Sequence, residues 1–171
     1  MRIYKLIPAM IIAFVLQLSL VNGISVAGVT PSVILVLEMI TIFLFSDEIR
    51  CIIASVIVGF ALDATVGSYM GVYGLTLFLV ALFTRYYKEL CNNENKLSLV
   101  PLTLIGTIIY NVVPLAFYAM ADMSVSIIKI AKFIGVGFIL NLILMYIMYL
   151  FMIKKASYRP KRSQYERYET I

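Results

Sequence analysis

A chain of 171 residues that is 63% hydrophobic and only 13% charged, with a mean hydropathy of +1.00, lies far from the composition of soluble domains and points to an integral membrane protein. At roughly 20 apolar residues per crossing, this length accommodates about six spans with short loops and leaves no room for a separate soluble domain. There is no histidine, and Cys51 and Cys91 stand far apart, so the sequence offers neither a metal cluster nor a disulfide framework.

The chain opens with the short basic run Met1-Arg2-Ile3-Tyr4-Lys5, followed by apolar residues to near Gly23. A signal peptide opens in the same way, but this run is longer than a signal core. Asn22-Gly23 is a turn signal rather than a cleavage site, so the reading is an uncleaved first span over residues 6–22. Thr30-Pro31 has the form of a helix start, with a hydroxyl cap and proline at the first helical position. It predicts a second span over 30–45, closed by Ser46-Asp47-Glu48. A third span follows over 49–66, with Asp63 near its far end. Gly67-Ser68 leaves room for only a tight turn, so the third and fourth spans form an antiparallel hairpin, the fourth ending near Thr84.

Residues 85–96 read as a polar loop. A fifth span covers 97–120, with Pro101 in its first turn and Pro114 deep inside, where it removes a backbone hydrogen bond and predicts a kink. Residues 121–132 are weakly amphipathic and are expected along the outer interface. A sixth span covers 133–153. The spans make up one domain, 1–153, followed by a polar, basic tail, 154–171, expected to be disordered and to contact anionic lipid.

Charge sets the orientation. In a six-span arrangement twelve of the fourteen Lys and Arg residues fall on one side, leaving only Lys129 and Lys132 on the other. The positive-inside rule then places both termini in the cytoplasm. The fold class expected is an all-α membrane protein, a compact bundle of six transmembrane helices.

Several polar residues fall inside the spans. Glu38 lies about 12 Å into the second span at 1.5 Å per residue, and an acid at such depth is a functional candidate by default. It is read as a proton carrier, a polar contact to a partner helix, or a protonated acid bonded to Asn111 or Asn141. Gln17, Asn111 and Asn141 read as helix–helix contacts, as do Gly135 and Gly137. Asp63 reads as a carboxylate that locks the hairpin through the amides of Gly67-Ser68 or through Thr65, or as a contact for a partner or ligand. The Tyr86-Tyr87 pair reads as an interfacial anchor. No nucleophile–base pair, phosphate loop or metal spacing is present. The chain is expected to do no chemistry of its own, to need no cofactor and to bind no nucleic acid.

The segment 59–74 is the most distinctive. Gly59, Asp63, Gly67 and Gly71 recur at every fourth position, a spacing that puts small residues on one helix face and permits close approach. Gly59-Phe60-x-x-Asp63, followed eight residues on by Gly71-Val72-Tyr73 and then Gly74, resembles the signature of the MreD family, the rod shape-determining membrane proteins of bacteria. Pro31, the length, the short loops and the basic tail agree with that resemblance. Glu38 is not part of the family pattern.

The resemblance implies a non-enzymatic scaffold of the cell-elongation machinery in the bacterial cytoplasmic membrane. Its partner would be an MreC-like bitopic coiled-coil protein. A RodA-type polymerase, a penicillin-binding transpeptidase and MreB filaments would be engaged indirectly. It also implies a fold similar to the substrate-binding subunits of energy-coupling factor transporters. That likeness supplies an alternative function, capture of a vitamin or metabolite. Such a subunit needs a polar, aromatic-rich pocket in its outer half, which the sequence does not display. It also needs an Ala-x-x-x-Ala face, for which Ala9 and Ala13 are the single instance. A small ion or proton carrier would rest on Glu38 and Asp63 alone.

Overall fold

The computed structural model describes residues 3–23, 28–44, 48–65, 69–90, 96–120 and 127–156. These residues are all-helical. The elements are α1 (Ile3–Gly23), α2 (Val33–Leu44), α3 (Glu48–Thr65), α4 (Val72–Leu90), α5 (Leu99–Met120) and α6 (Ile127–Ala156), with a short 3-10 turn at Lys96–Ser98 before α5.

The shortest helix is the axis of the fold. Every residue of α2 from Val33 to Phe43 is buried, as expected for a helix apolar on all sides. It touches each of the other five helices, which surround it in the order α1, α3, α4, α5, α6; among the described residues α6 and α1 do not touch. One side of α2, with Val33, Ile34, Leu37 and Ile42, packs with Met10, Ala13, Cys51, Leu62, Leu77 and Ala81. The other, with Leu35, Val36, Met39, Ile40 and Phe43, packs with Val80, Leu99, Leu102, Met145 and Tyr149. Gly106 of α5 lets Met39 lie directly against its backbone.

Both ends of α2 are held by side chains from other helices. Ser32 is its N-cap: its carbonyl accepts from Val36 N at 3.2 Å and its hydroxyl accepts from Leu35 N at 3.4 Å. The amide of Ser32 itself donates to Asn141 Oδ1 of α6 at 2.9 Å, and that of Val33 donates to Gln17 Oε1 of α1 at 2.7 Å. At the far end Lys88 Nζ of α4 donates to the Ile42 carbonyl at 2.9 Å. Helix ends carry amides and carbonyls without intrahelical partners, and burial makes outside partners necessary. Buried hydroxyls in the helix walls are satisfied locally: Ser55, Thr76, Thr84 and Thr103 each donate to the carbonyl four residues back.

Several expected boundaries are corrected. The second helix begins at Val33 with Ser32 as its cap, not at Thr30-Pro31. The fourth does not end near Thr84 but continues to Leu90, because Lys88 has a buried acceptor to reach and Arg85 faces Glu89 one turn on, at 3.9 Å. Residues 127–132 are not a separate interfacial segment but the first turns of α6, which also runs past 153 to Ala156. Pro114 is buried within α5, which continues through it. The Ser46-Asp47 and Gly67-Ser68 turns, Cys91, residues 121–126 and the tail beyond 156 lie outside the described residues.

Two helical stretches, Leu99–Met120 and Ile130–Met152, are long and apolar enough to cross a membrane. The outer faces of the ring are apolar too. Ile11, Ile12 and Val15 on α1, Ile53 and Ile57 on α3, and Ile139, Ile143 and Ile147 on α6 are all exposed.

Candidate functional site: the α3–α4 hairpin and the adjoining cavity

The hairpin is closed by one carboxylate and two glycines. Asp63, 4% exposed in the last turn of α3, accepts three backbone amides from the start of α4. Oδ2 takes those of Gly71 and Gly74, both at 3.0 Å, and Oδ1 takes that of Tyr73 at 2.8 Å. Gly71 is the cap position, since its carbonyl accepts the first helical bond from Leu75 N at 2.9 Å. An N-cap side chain normally serves the amides two and three residues on. Gly71 has none, and Asp63 does that work from the neighbouring helix. The positive end of the α4 dipole favours a negative group there.

Gly71 is glycine for a backbone reason, with φ at +97°, a conformation that costs any residue with a Cβ. It is not the point of helix contact expected from the every-fourth-residue spacing. A Cβ at Gly71 would meet only the Phe60 ring, 3.9 Å away. The contact lies between Gly59 and Gly74, where a Cβ on Gly59 would stand 2.6 Å from Gly74 Cα. The Phe60 ring covers Gly74 from outside and stays 48% exposed. Gly59, Phe60, Asp63, Gly71 and Gly74 thus form one closed local structure. Gly67 lies outside the described residues. Among the described residues Asp63 bonds α4 rather than Thr65, whose hydroxyl donates to its own helix at Ala61 and Leu62; the expected bonds to Gly67-Ser68 lie outside the described residues.

Beside this lock lies a partly open cavity of about 170 Å³. Gln17, Ser32, Tyr73, Tyr110, Asn111 and Asn141 supply its polar lining, and Val29, Thr30, Leu62, Phe133 and Gly137 complete it. The Tyr73 and Tyr110 rings lie 5.9 Å apart, tilted by 42°. Asn141 is the hub of the polar side: besides accepting from Ser32 it donates Nδ2 to Thr107 Oγ1 at 3.2 Å. Gln17 Nε2 donates to the Pro31 carbonyl at 3.5 Å. Asn111 donates Nδ2 to Thr107 O of its own helix at 2.8 Å. Gln17 and Asn141 are therefore interhelical contacts, as expected, while Asn111 bonds within α5.

Glu38 stands apart from both features. It is fully buried in α2, and neither carboxyl oxygen has a hydrogen-bond partner among the described residues. Asn111 and Asn141, its expected partners, are engaged elsewhere. Ser55 of α3 stands within reach of its carboxyl group and Tyr110 of α5 interacts with it electrostatically, while the Ser55 hydroxyl is donated to Cys51 O at 2.9 Å. Tyr86 is exposed, and Tyr87 is partly buried against Phe83, with ring centroids 5.9 Å apart. Gly137 fits between Thr107 and Val29 across a helix contact, whereas Gly135 has no such neighbour among the described residues.

The sequence pointed to the hairpin residue by residue. The cavity it did not reveal, because the lining is gathered from every helix but α2 and from the segment preceding it. Ala13 is buried and Ala9 packs against the same core, so this pair faces inward and offers no docking face. No protein-family model matches the chain, and neither the curated proteins nor the solved structures contain a significant match to it.

Proposed function

We propose that this chain is a six-span membrane protein with both termini cytoplasmic, and that it acts as a non-enzymatic scaffold of the bacterial cell-elongation complex, like the MreD family it resembles. The observation that carries this reading is the hairpin. The residues of the resemblance described from α3 and α4, Gly59, Phe60, Asp63, Gly71 and Gly74, build one rigid joint rather than a reaction centre. The apolar outer faces of α1, α3 and α6 support membrane embedding, since exposed apolar area on this scale is foreign to a soluble surface. α2, at 12 residues, is about 18 Å long and shorter than the hydrocarbon core of about 30 Å. Its crossing is completed by the non-helical segment through Ser32, which is tolerated at such depth because it lines a protein cavity.

In this reading the buried members of the joint set its rigidity, and Phe60 is the surface it presents. Ile49, Ile53 and Ile57 continue the exposed row along α3 at helical spacing, a stripe suited to a single partner helix in the bilayer. The partner is an MreC-like bitopic coiled-coil protein, and the basic tail contacts anionic lipid. The test is affinity purification of the full chain from detergent-solubilised membranes of its own host. Recovery of a protein with one span and a coiled coil supports the scaffold; its absence under conditions that preserve other membrane complexes contradicts it.

A second reading, capture of a small metabolite, is favoured by one observation: the polar, aromatic-lined cavity lies at the end of the bundle where α2 and α4 begin, the outer half in this topology.

A further inference from the structure

We infer that the cavity is a binding site for an uncharged, single-ring molecule bearing an amide or hydroxyl group, admitted from the outer side. This deepens the metabolite-capture reading and rests on it.

Size comes first. The volume of about 170 Å³ compares with the cavity of about 150 Å³ that accepts a benzene ring in an engineered protein interior. A single ring fits within it.

Charge is excluded by the lining. None of its eleven residues is acidic or basic. The nearby carboxylate of Asp63 is turned to three amides at the positive end of α4 and is not part of the lining. The amides at the start of α2 that could attract an anion are held by Asn141, Gln17 and Ser32. An ion entering here would lose its hydration and meet no charged side chain in the described lining, a large penalty.

Polarity is required for the same structural reason. The walls carry amide and hydroxyl groups, and an apolar guest would strip them of water without replacing the hydrogen bonds. Asn111 uses only its Nδ2, on its own helix; its side-chain carbonyl is bonded to no described residue and is the acceptor assigned to the ligand's amide or hydroxyl hydrogen. The Tyr73 and Tyr110 rings and Phe133 border the cavity and offer aromatic faces to the ligand ring.

The experiment uses the full chain in detergent and four probes of one shape: benzamide, benzoate, benzylamine and toluene. Binding is read by ligand-dependent melting and by native mass spectrometry. Benzamide should bind saturably, with the other three at least about tenfold weaker, the scale of one hydrogen bond or one unpaired charge. Asn111→Leu, which breaks no interhelical bond, should weaken benzamide about tenfold. Gly137→Val should abolish binding by filling the cavity, since a Cβ there meets only ordinary contacts at 3.7 Å. If benzoate, benzylamine or toluene binds as tightly as benzamide, the ligand class is wrong while metabolite capture stands. If none of the four binds, both fall. Benzamide binding that is indifferent to Gly137→Val in a folded protein places the site elsewhere and overturns the inference.

Discussion

Gly59 and Gly74 meet backbone to backbone, and the contact is one-sided in what it forbids. A Cβ added to Gly59 would lie 2.6 Å from Gly74 Cα, whereas for one added to Gly74 the nearest atoms belong to the Phe60 ring, at 3.4 Å. Gly59→Ala must therefore push α3 and α4 apart, at a cost of about 1–3 kcal/mol. Gly74→Ala places its methyl in ordinary contact with the Phe60 ring, and the helix gains from losing a glycine, so its net effect should stay within about 1 kcal/mol. Melting of the two variants in the same detergent checks this. Equal destabilisation would mean that the crossing point lies elsewhere.

Asp63 should be far less replaceable than its size suggests. Asn keeps one acceptor oxygen and leaves at least one amide of the α4 start without a partner, at about 1–3 kcal/mol. Leu leaves three, so Asp63→Leu should be the more damaging. Hydrogen exchange at the Tyr73 and Gly74 amides is the specific readout. Both should exchange faster in Asp63→Asn and faster still in Asp63→Leu, and unchanged protection would contradict the capping role.

Glu38 presents the opposite case, a buried acid with no hydrogen-bond partner to lose among the described residues. Glu38→Met keeps the length and removes two unsatisfied oxygens, so it should stabilise the protein by about 1–3 kcal/mol. Glu38→Lys puts a charge into the same dry position and should disrupt the bundle. A melting temperature that falls in Glu38→Met would reveal a bond that the fold does not display.

The topology makes a separate prediction. If both termini are inside, as proposed, Cys91 falls on the cytoplasmic side, and an impermeant thiol reagent should label it only after permeabilisation. Cys51 is 3% exposed and should stay unlabelled in both conditions. Labelling of Cys91 in intact cells would reverse the orientation.

What was legible in the sequence was whatever one local stretch encodes. The helices near their expected places, the Gly59–Asp63–Gly74 hairpin and the interhelical roles of Gln17 and Asn141 all follow from spacing and hydropathy. Partners that depend on the third dimension were missed. Asp63 serves amides eight to eleven positions away, at the start of the next helix. Lys88 reads as loop charge until the Ile42 carbonyl, 46 positions earlier, is brought beside it. The spacing suggested Gly71 as a contact because it continues a period of four, but Gly71 belongs to the next helix and is needed for its positive φ. The cavity has no contiguous signal at all.

The central claim, a rigid joint presenting Phe60 to a partner helix, is tested most directly by Phe60→Ala. The ring is 48% exposed and takes no part in the Asp63 bonds, so the variant should still accumulate in the membrane, with a melting temperature lowered only by the packing lost over Gly74. Quantitative co-purification of the MreC-like coiled-coil protein with Phe60→Ala, set against the parent and Gly74→Ala, is the measurement. The account predicts that Phe60→Ala loses most of the partner while Gly74→Ala retains it; parental recovery with Phe60→Ala would contradict it.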